Sequence, residues 1–216
     1  MDYQAIEVPF NYRHTCWFCG EPSALEFCFP HAHSMLVDNA HPLISLNACH
    51  ECVSFAKASS KSTIFDVRDE VKQALLSRYQ KHLAIGQNWT QQELAEAEFE
   101  GGNFAGFAKS AWFVFEVAKQ RLNFQGWSLV VDAQELHIDD ISQAFTFDGV
   151  RYPDVHHAIS FFAKTFALEQ AFLTQIVHIL GRQRFAQAVR IARGCVDHTP
   201  AERQRLLRQL NADITE

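Results

Sequence analysis

No stretch of about 18 or more apolar residues occurs in this 216-residue chain, so no helical membrane span is expected. No charged-then-apolar amino terminus with a cleavage site reads as a signal peptide either. The expected location is therefore cytoplasmic, where thiols stay reduced and are available to metals rather than to disulfides. P-loop, G-x-G-x-x-G and G-x-S-x-G runs are all missing, which leaves nucleotide-cofactor binding and serine-hydrolase chemistry without a motif. Overall basic charge is missing too. A net charge of −6 argues against nucleic-acid binding over the whole surface and leaves that role to local patches. Internal repeats and low-complexity tracts are lacking, and an apolar share of 48% is that of an ordinary globular chain, so a folded core is expected.

Against these absences stand two matched knuckles, Cys16-x2-Cys19 and Cys49-x2-Cys52. Two residues between cysteines let both sulfurs reach one ion from a tight turn, and Gly20 relaxes the backbone after the first pair. The expected cofactor is a structural Zn²⁺ held by Cys16, Cys19, Cys49 and Cys52. A competing set, Cys16, Cys19, Cys28 and His31, has ligand-like spacing but leaves the second knuckle without a task. The four knuckle cysteines are the preferred set, with His31, His33, His41 and His50 as neighbouring or surface groups and Cys28 and Cys195 as buried structural thiols. Cys195-x2-His198 has no second knuckle nearby, and adjacent His156 and His157 point to different helix faces.

Charge is uneven along the chain. Residues 56–86 hold Lys57, Lys61, Arg68, Lys72, Arg78 and Lys81 against three acids, and residues 176–210 hold seven arginines against Asp197 and Glu202. The compensating acids lie in 93–148. Solvated helix faces are the plain reading of the basic stretches; a nucleic-acid surface using Lys57, Lys61, Arg182 and Arg184 is the functional one.

The periodicity predicts mostly helices. Residues 1–13 are an extended lead-in. A short hairpin is expected from 24–29 and 35–37, a loop at Asn39, His41 and Pro42, and a helix opening at the second knuckle. Val67, Val71, Leu75, Leu76, Tyr79 and Leu83 give a helix over 64–85, capped by Thr63 or Asp66 and stopped by Gly86. Thr90 with Glu93 forms a capping-box signature and predicts a short helix through Phe99, ended by Gly101 and Gly102. Phe104, Phe107, Ala111, Trp112, Phe115, Ala118 and Leu122 mark a core helix over 103–124 closed by Gly126. A strand over 127–131, a hairpin over 144–152 turning at Asp148-Gly149, and helices over 156–166, 169–180, 184–193 and 200–210 complete the prediction, with Thr199 as the last cap. Asp139 and Asp140 read as a helix cap.

The segment 14–60 resembles the treble-clef modules of the HNH (His-Me finger) nuclease superfamily, in which a knuckle, a β-hairpin and a second knuckle at a helix start surround a catalytic strand. The resemblance implies a general-base histidine on the hairpin, taken here by His33 or His41, and a catalytic Mg²⁺ or Mn²⁺. Pro42 and Asn47 echo the family pattern. The family's glycine pair is missing, Asn47 stands too close to Cys49, and Val53 follows Cys52 where Asn or His is common. Losing an activated water or its ion forfeits most of the rate, so these departures imply a non-catalytic derivative. The stretch 145–180, with Phe147, Asp148, Gly149, Tyr152, Pro153 and Ala158, resembles the helix-turn-helix repeats that accompany some of these nucleases. That likeness implies Glu169, Gln170, Thr174 and Gln175 at base edges with Arg182 and Arg184 on phosphates. A helical hairpin burying Phe161, Phe162, Phe166, Phe172 and Ile176 is the preferred alternative.

The expected protein is α+β and mainly α-helical: a treble-clef-like zinc module over 1–60, a helical region over 61–125, and a hairpin plus helical region over 126–216. Its expected function is zinc-stabilised, non-catalytic binding, with DNA, RNA or a nucleic-acid-associated protein as partner and no membrane. An HNH-like endonuclease and a protein-interaction scaffold are the alternatives.

Overall fold

A computed structural model gives the fold and describes residues 3–31, 42–97, 104–136 and 144–215. The expectations for His33, His41, residues 35–37, Asn39, Phe99, the Gly101-Gly102 stop and Asp139-Asp140 lie outside those residues. The fold is α+β and mainly helical, as the periodicity predicts. The chain forms two compact units, Met1–Ser142 with Thr146–Pro153 and Gln143–Phe145 with Asp154–Glu216.

The first unit opens with a small sheet. Strand β1 (Gln4–Ala5) lies parallel to β3 (Ile44–Ala48), and β2 (Leu25–Phe29) pairs antiparallel to β3 with Phe27 opposite Leu46. Alternation makes β3 a strand: Ile44, Leu46 and Ala48 are buried while Ser45 and Asn47 are not. The lead-in is thus partly a sheet strand, and Tyr12 stacks on Trp127 with ring centroids 5.2 Å apart.

Helix α1 (His50–Lys57) begins directly after β3, with Cys49 as its N-cap residue in extended geometry. Helix α2 (Ile64–Arg78) buries Ile64, Val67, Val71, Leu75 and Leu76, and the Thr63 hydroxyl caps it by accepting from the Asp66 amide at 3.0 Å. The expected single helix to residue 85 is instead two helices. Tyr79 leaves helical geometry, α3 (Gln80–Asn88) follows, and Gly86 lies inside it rather than stopping it. A Cβ at Gly86 would stand 2.2 Å from the Phe115 ring, so this glycine serves close helix packing. Helix α4 (Gln91–Glu96) has both hydrogen bonds of the predicted capping box, and Ala97 ends it. Helix α5 (Phe104–Asn123) buries Phe115, Ala118 and Leu122 and packs on α3.

The expected strand over 127–131 forms ladder only at β4 (Val130–Val131), which pairs with β5 (Gln134–Glu135). Asp132 and Ala133 between them both have positive φ, as a two-residue hairpin turn demands. The hairpin of β6 (Phe145–Phe147) and β7 (Val150–Tyr152) turns at Asp148-Gly149 as predicted, again with both φ positive.

The second unit is a helical stack. Asp154 caps α6 (Val155–Thr165), Gly181 ends α7 (Gln170–Leu180), and a 3-10 turn at Arg182–Arg184 leads into α8 (Phe185–Gly194). The last helix, α9 (Pro200–Thr215), runs past the expected end at residue 210. Helix α7 buries Phe172, Leu173, Ile176 and Val177 and packs against α6, α8 and α9. Phe161 and Phe162 are buried on α6, with Phe162 edge-on to Phe185 at 5.3 Å. These are the contacts of a helical hairpin with its aromatic residues turned inward.

Candidate metal centre

The first knuckle is held by its own backbone. The Gly20 amide donates to the Cys16 carbonyl at 2.9 Å and the Cys16 amide to the Glu21 carbonyl at 2.7 Å, with Gly20 at φ 79°. It is pinned to the sheet by the Trp17 amide, which donates to the Asn47 carbonyl at 2.9 Å. Asn47 in turn donates its side-chain N–H to the Arg13 carbonyl at 2.8 Å. The second knuckle starts α1, with Cys49 preceding the helix and Cys52 in its first turn, where the helix dipole favours thiolate over thiol. Knuckle, hairpin and helix follow one another in the predicted order, but the strand that pairs with β2 is β3 (Ile44–Ala48), where no strand is predicted.

The result is a cluster. The sulfurs of Cys16, Cys19, Cys49 and Cys52 all lie within 4.8 Å of one another, and Cys19 Sγ is 3.7 Å from Cys49 Sγ. Four sulfurs bound tetrahedrally to one zinc ion at about 2.3 Å stand about 3.8 Å apart, so the donor set and its spacing fit a metal such as zinc. Cys28 and His31 are not part of the cluster; Cys28 is in β2 opposite Ser45 and only half-buried. His50 is exposed, and Cys195 is buried in the second unit.

Thiols this close ionise against one another. Thiol–thiol hydrogen bonding, from Cys16 above all, holds Cys49 below the ordinary thiol range and Cys19 at about 7. Hydrogen bonding to Cys19 and to Cys16, respectively, pushes Cys16 and Cys52 above that range. A divalent cation removes this conflict because it stabilises all four as thiolates.

Two cations stand beside the cluster. Among the described residues, the buried polar and charged side chains are Lys72 and Arg121, 7% and 6% exposed. Arg121 Nη2 lies 3.6 Å from Cys19 Sγ and 2.6 Å from Glu51 Oε2. Lys72 Nζ donates to the Arg121 and Phe124 carbonyls at 2.6 and 2.5 Å, closing the end of α5. Burial pulls Lys72 down to about 7, with the charges of Cys19, Cys52 and Cys16 opposing it. Burial also works against the Arg121 charge, but Cys19 and Glu51 outweigh it and hold the guanidinium above its usual range. Glu51, from inside the second knuckle, is further held by Arg78 Nε at 2.6 Å and by the Tyr79 hydroxyl.

Spacing alone does not mark Lys72, Arg121, Glu51 or Tyr79 as site residues. The available signal is a charged residue on an apolar stripe: Lys72 between Val71 and Leu75, Arg121 between Ala118 and Leu122.

The basic stretch 56–86 is largely spent within the first unit. Lys72 is buried, and Arg78 pairs with Glu51. Arg68 lies over the Trp17 and Phe65 rings and donates to the Gln125 carbonyl, while Lys61 is 3.8 Å from Glu70. Lys57 is exposed at the end of α1. In the second unit Arg203 pairs with Glu169 and Arg193 lies over Phe166, whereas Arg182, Arg184, Arg190 and Arg205 are exposed and join no carboxylate in an ion pair among the described residues. A cleft of about 360 Å³ is lined by Leu180, Gly181, Arg182, Gln183 and Arg184.

No protein-family model, curated protein or solved structure matches the chain. Among the described residues no helix is long and apolar enough to cross a membrane.

Proposed function

We propose that the chain is a zinc-stabilised, non-catalytic binding protein in which Cys16, Cys19, Cys49 and Cys52 hold one structural Zn²⁺. The observation that carries this reading is the four-thiol cluster with a buried guanidinium 3.6 Å from one of its sulfurs. Four thiolates around a divalent ion bear two negative charges, and the Arg121 guanidinium offsets part of that charge in a low-dielectric setting where uncompensated charge is costly. With four protein ligands no position is left open for water or substrate, so the ion's task is to hold the knuckle, the hairpin and α1 together.

The partner we propose is a nucleic acid, met through Arg182 and Arg184, with Arg190 and Arg205 as further exposed arginines of the same unit. Arginines without carboxylate partners suit phosphate recognition by their planar fork of donors. The likeness to HNH nucleases is carried into this proposal only as the arrangement of knuckle, hairpin and helix. Here Asn47 spends its side chain on the Arg13 carbonyl rather than on chemistry.

Three measurements test the reading. Metal analysis of purified protein is expected to give one zinc per chain, lost in Cys16→Ser and Cys52→Ser; an absence of stoichiometric metal overturns it. Binding to DNA and RNA is expected to weaken steeply with salt, and Arg182→Ala with Arg184→Ala to reduce the salt slope by about one for each arginine–phosphate pair removed. Binding with an unchanged slope removes these arginines from the interface. Cleavage with Mg²⁺ or Mn²⁺ that His33→Ala or His41→Ala abolishes would replace the non-catalytic reading by the nuclease one.

A further inference from the structure

Arg121 reaches the cysteine cluster from α5, 102 residues from Cys19 in sequence. Its position is fixed from three sides. Nη2 is shared between Cys19 Sγ at 3.6 Å and Glu51 Oε2 at 2.6 Å, Nη1 donates to the Tyr79 hydroxyl, and that hydroxyl donates to Glu51 at 2.9 and 3.1 Å. Arg78 Nε engages the other Glu51 oxygen at 2.6 Å.

The charge balance of this group is informative. Arg78 already offsets Glu51 from the more exposed side, with 63% of its side chain accessible. The Arg121 charge, 6% exposed, therefore has the sulfurs as its remaining counter-charge. A guanidinium wanted only for a carboxylate gains nothing from such burial. One wanted for a thiolate does, because an N–H donated to a charged acceptor is about twice as strong as a neutral one and is stronger still where water is excluded. Lys72 adds its charge from α2 while closing the end of α5.

Resting on the reading that the four cysteines hold a divalent ion, we propose that Arg121 is a positioning residue of the metal centre. Its guanidinium, oriented by Glu51 and Tyr79, donates an N–H to the Cys19 thiolate, slows departure of the ion and ties α5 to the metal. Outer-sphere partners of metal ligands typically change metal affinity by about 10–100-fold when removed, and Arg121 falls in that class.

The test uses full-length wild type, Arg121→Met and Arg121→Lys, loaded with Zn²⁺ for release to a chromophoric chelator and with Co²⁺ for the sulfur-to-cobalt charge-transfer band. Arg121→Met keeps the apolar stem and removes the charge. It is expected to release zinc about 10–100-fold faster and to move the band to lower energy, because a thiolate without its hydrogen bond is the better electron donor. Arg121→Lys keeps the charge but not the fork, and is expected to fall between the two in both readouts. A folded Arg121→Met protein, checked by circular dichroism, with the wild-type release rate and band overturns the proposal and leaves the zinc reading intact. Should Arg121→Met not fold, Arg121→Lys decides: release faster than wild type with the band at lower energy supports the proposal, and wild-type values for both overturn it. Wild type that takes up neither ion defeats the metal reading, and this inference with it.

Discussion

The two units solve the problem of a small core in opposite ways. In the first, buried space goes to four thiols, a lysine and an arginine, and the apolar side chains around them are divided between a three-stranded sheet and α1 to α5. In the second, the buried residues among those described are apolar, from Ala158, Phe161 and Phe162 on α6 to Leu173 and Ile176 on α7 and Ala188 on α8. Polar interiors are specific and costly; apolar ones follow from periodicity and need no cofactor. On the proposed zinc reading the first unit's order is conditional on an ion, and the second unit's is not.

The sharpest way to break that contrast is to take the ion away. Chelation, or Cys52→Ser, is expected to cost the first unit on the order of 10 kcal/mol. Hydrogen exchange should register this as lost protection in β2, β3 and α1 while α6 to α8 keep theirs; equal loss in both units would erase the distinction. The converse change is Leu173→Ala, at a fully buried site on α7. It should lower the stability of the second unit by about 2–5 kcal/mol, measured by denaturant unfolding, with the zinc content unchanged.

The same contrast explains what the sequence makes legible. Local signals are read correctly: the capping box at Thr90, the cap at Thr199, the Asp148-Gly149 turn, and the apolar stripes of α6 and α7 all act within a few residues. The cysteine pairs are legible for the same reason, since each knuckle is a local turn. What escapes is set by distant partners. Gly86 stays helical because of the Phe115 ring, and the basic charges of 56–86 find Glu51, Glu70 and aromatic faces. Strand β3 is not predicted although Ile44, Leu46 and Ala48 alternate, because a five-residue run beside the second knuckle shows too little of the period.

Two smaller changes sharpen the comparison. Gly126→Ala would force a side chain onto a backbone at φ 75° and within 2.6 Å of Trp17 Nε1. A loss of about 1–3 kcal/mol in the first unit is expected in thermal or denaturant melts, with faster zinc release than wild type; a neutral outcome would mean that the Trp17 contact is slack. Asp154→Ala, in the second unit, removes the N-cap that accepts from the His157 amide at 2.8 Å and should cost about 1 kcal/mol. Burial opposes the Asp154 charge, but hydrogen bonds from His157 outweigh it and hold the carboxyl below its usual value. A depressed carboxyl contributes stability above its unfolded pKa of about 3.9 and loses it as pH falls through the lower folded value. Wild type and Asp154→Ala should accordingly differ at neutral pH and converge in acid; a gap that persists in acid would rule out the charged cap.

Trp17 gives the molecule an optical gauge of its own. The indole lies between two of the clustered cysteines in sequence, is fully buried, donates its N–H to the Trp127 carbonyl at 2.9 Å and carries Arg68 over its ring. Loosening the knuckle breaks that bond and wets the ring, so native fluorescence will move to longer wavelength as the ion departs. Trp89, already 41% exposed, supplies a steady background against which the change is read. On the proposed zinc reading, the occupancy of the thiol cage can thus be followed in unlabelled protein, in real time.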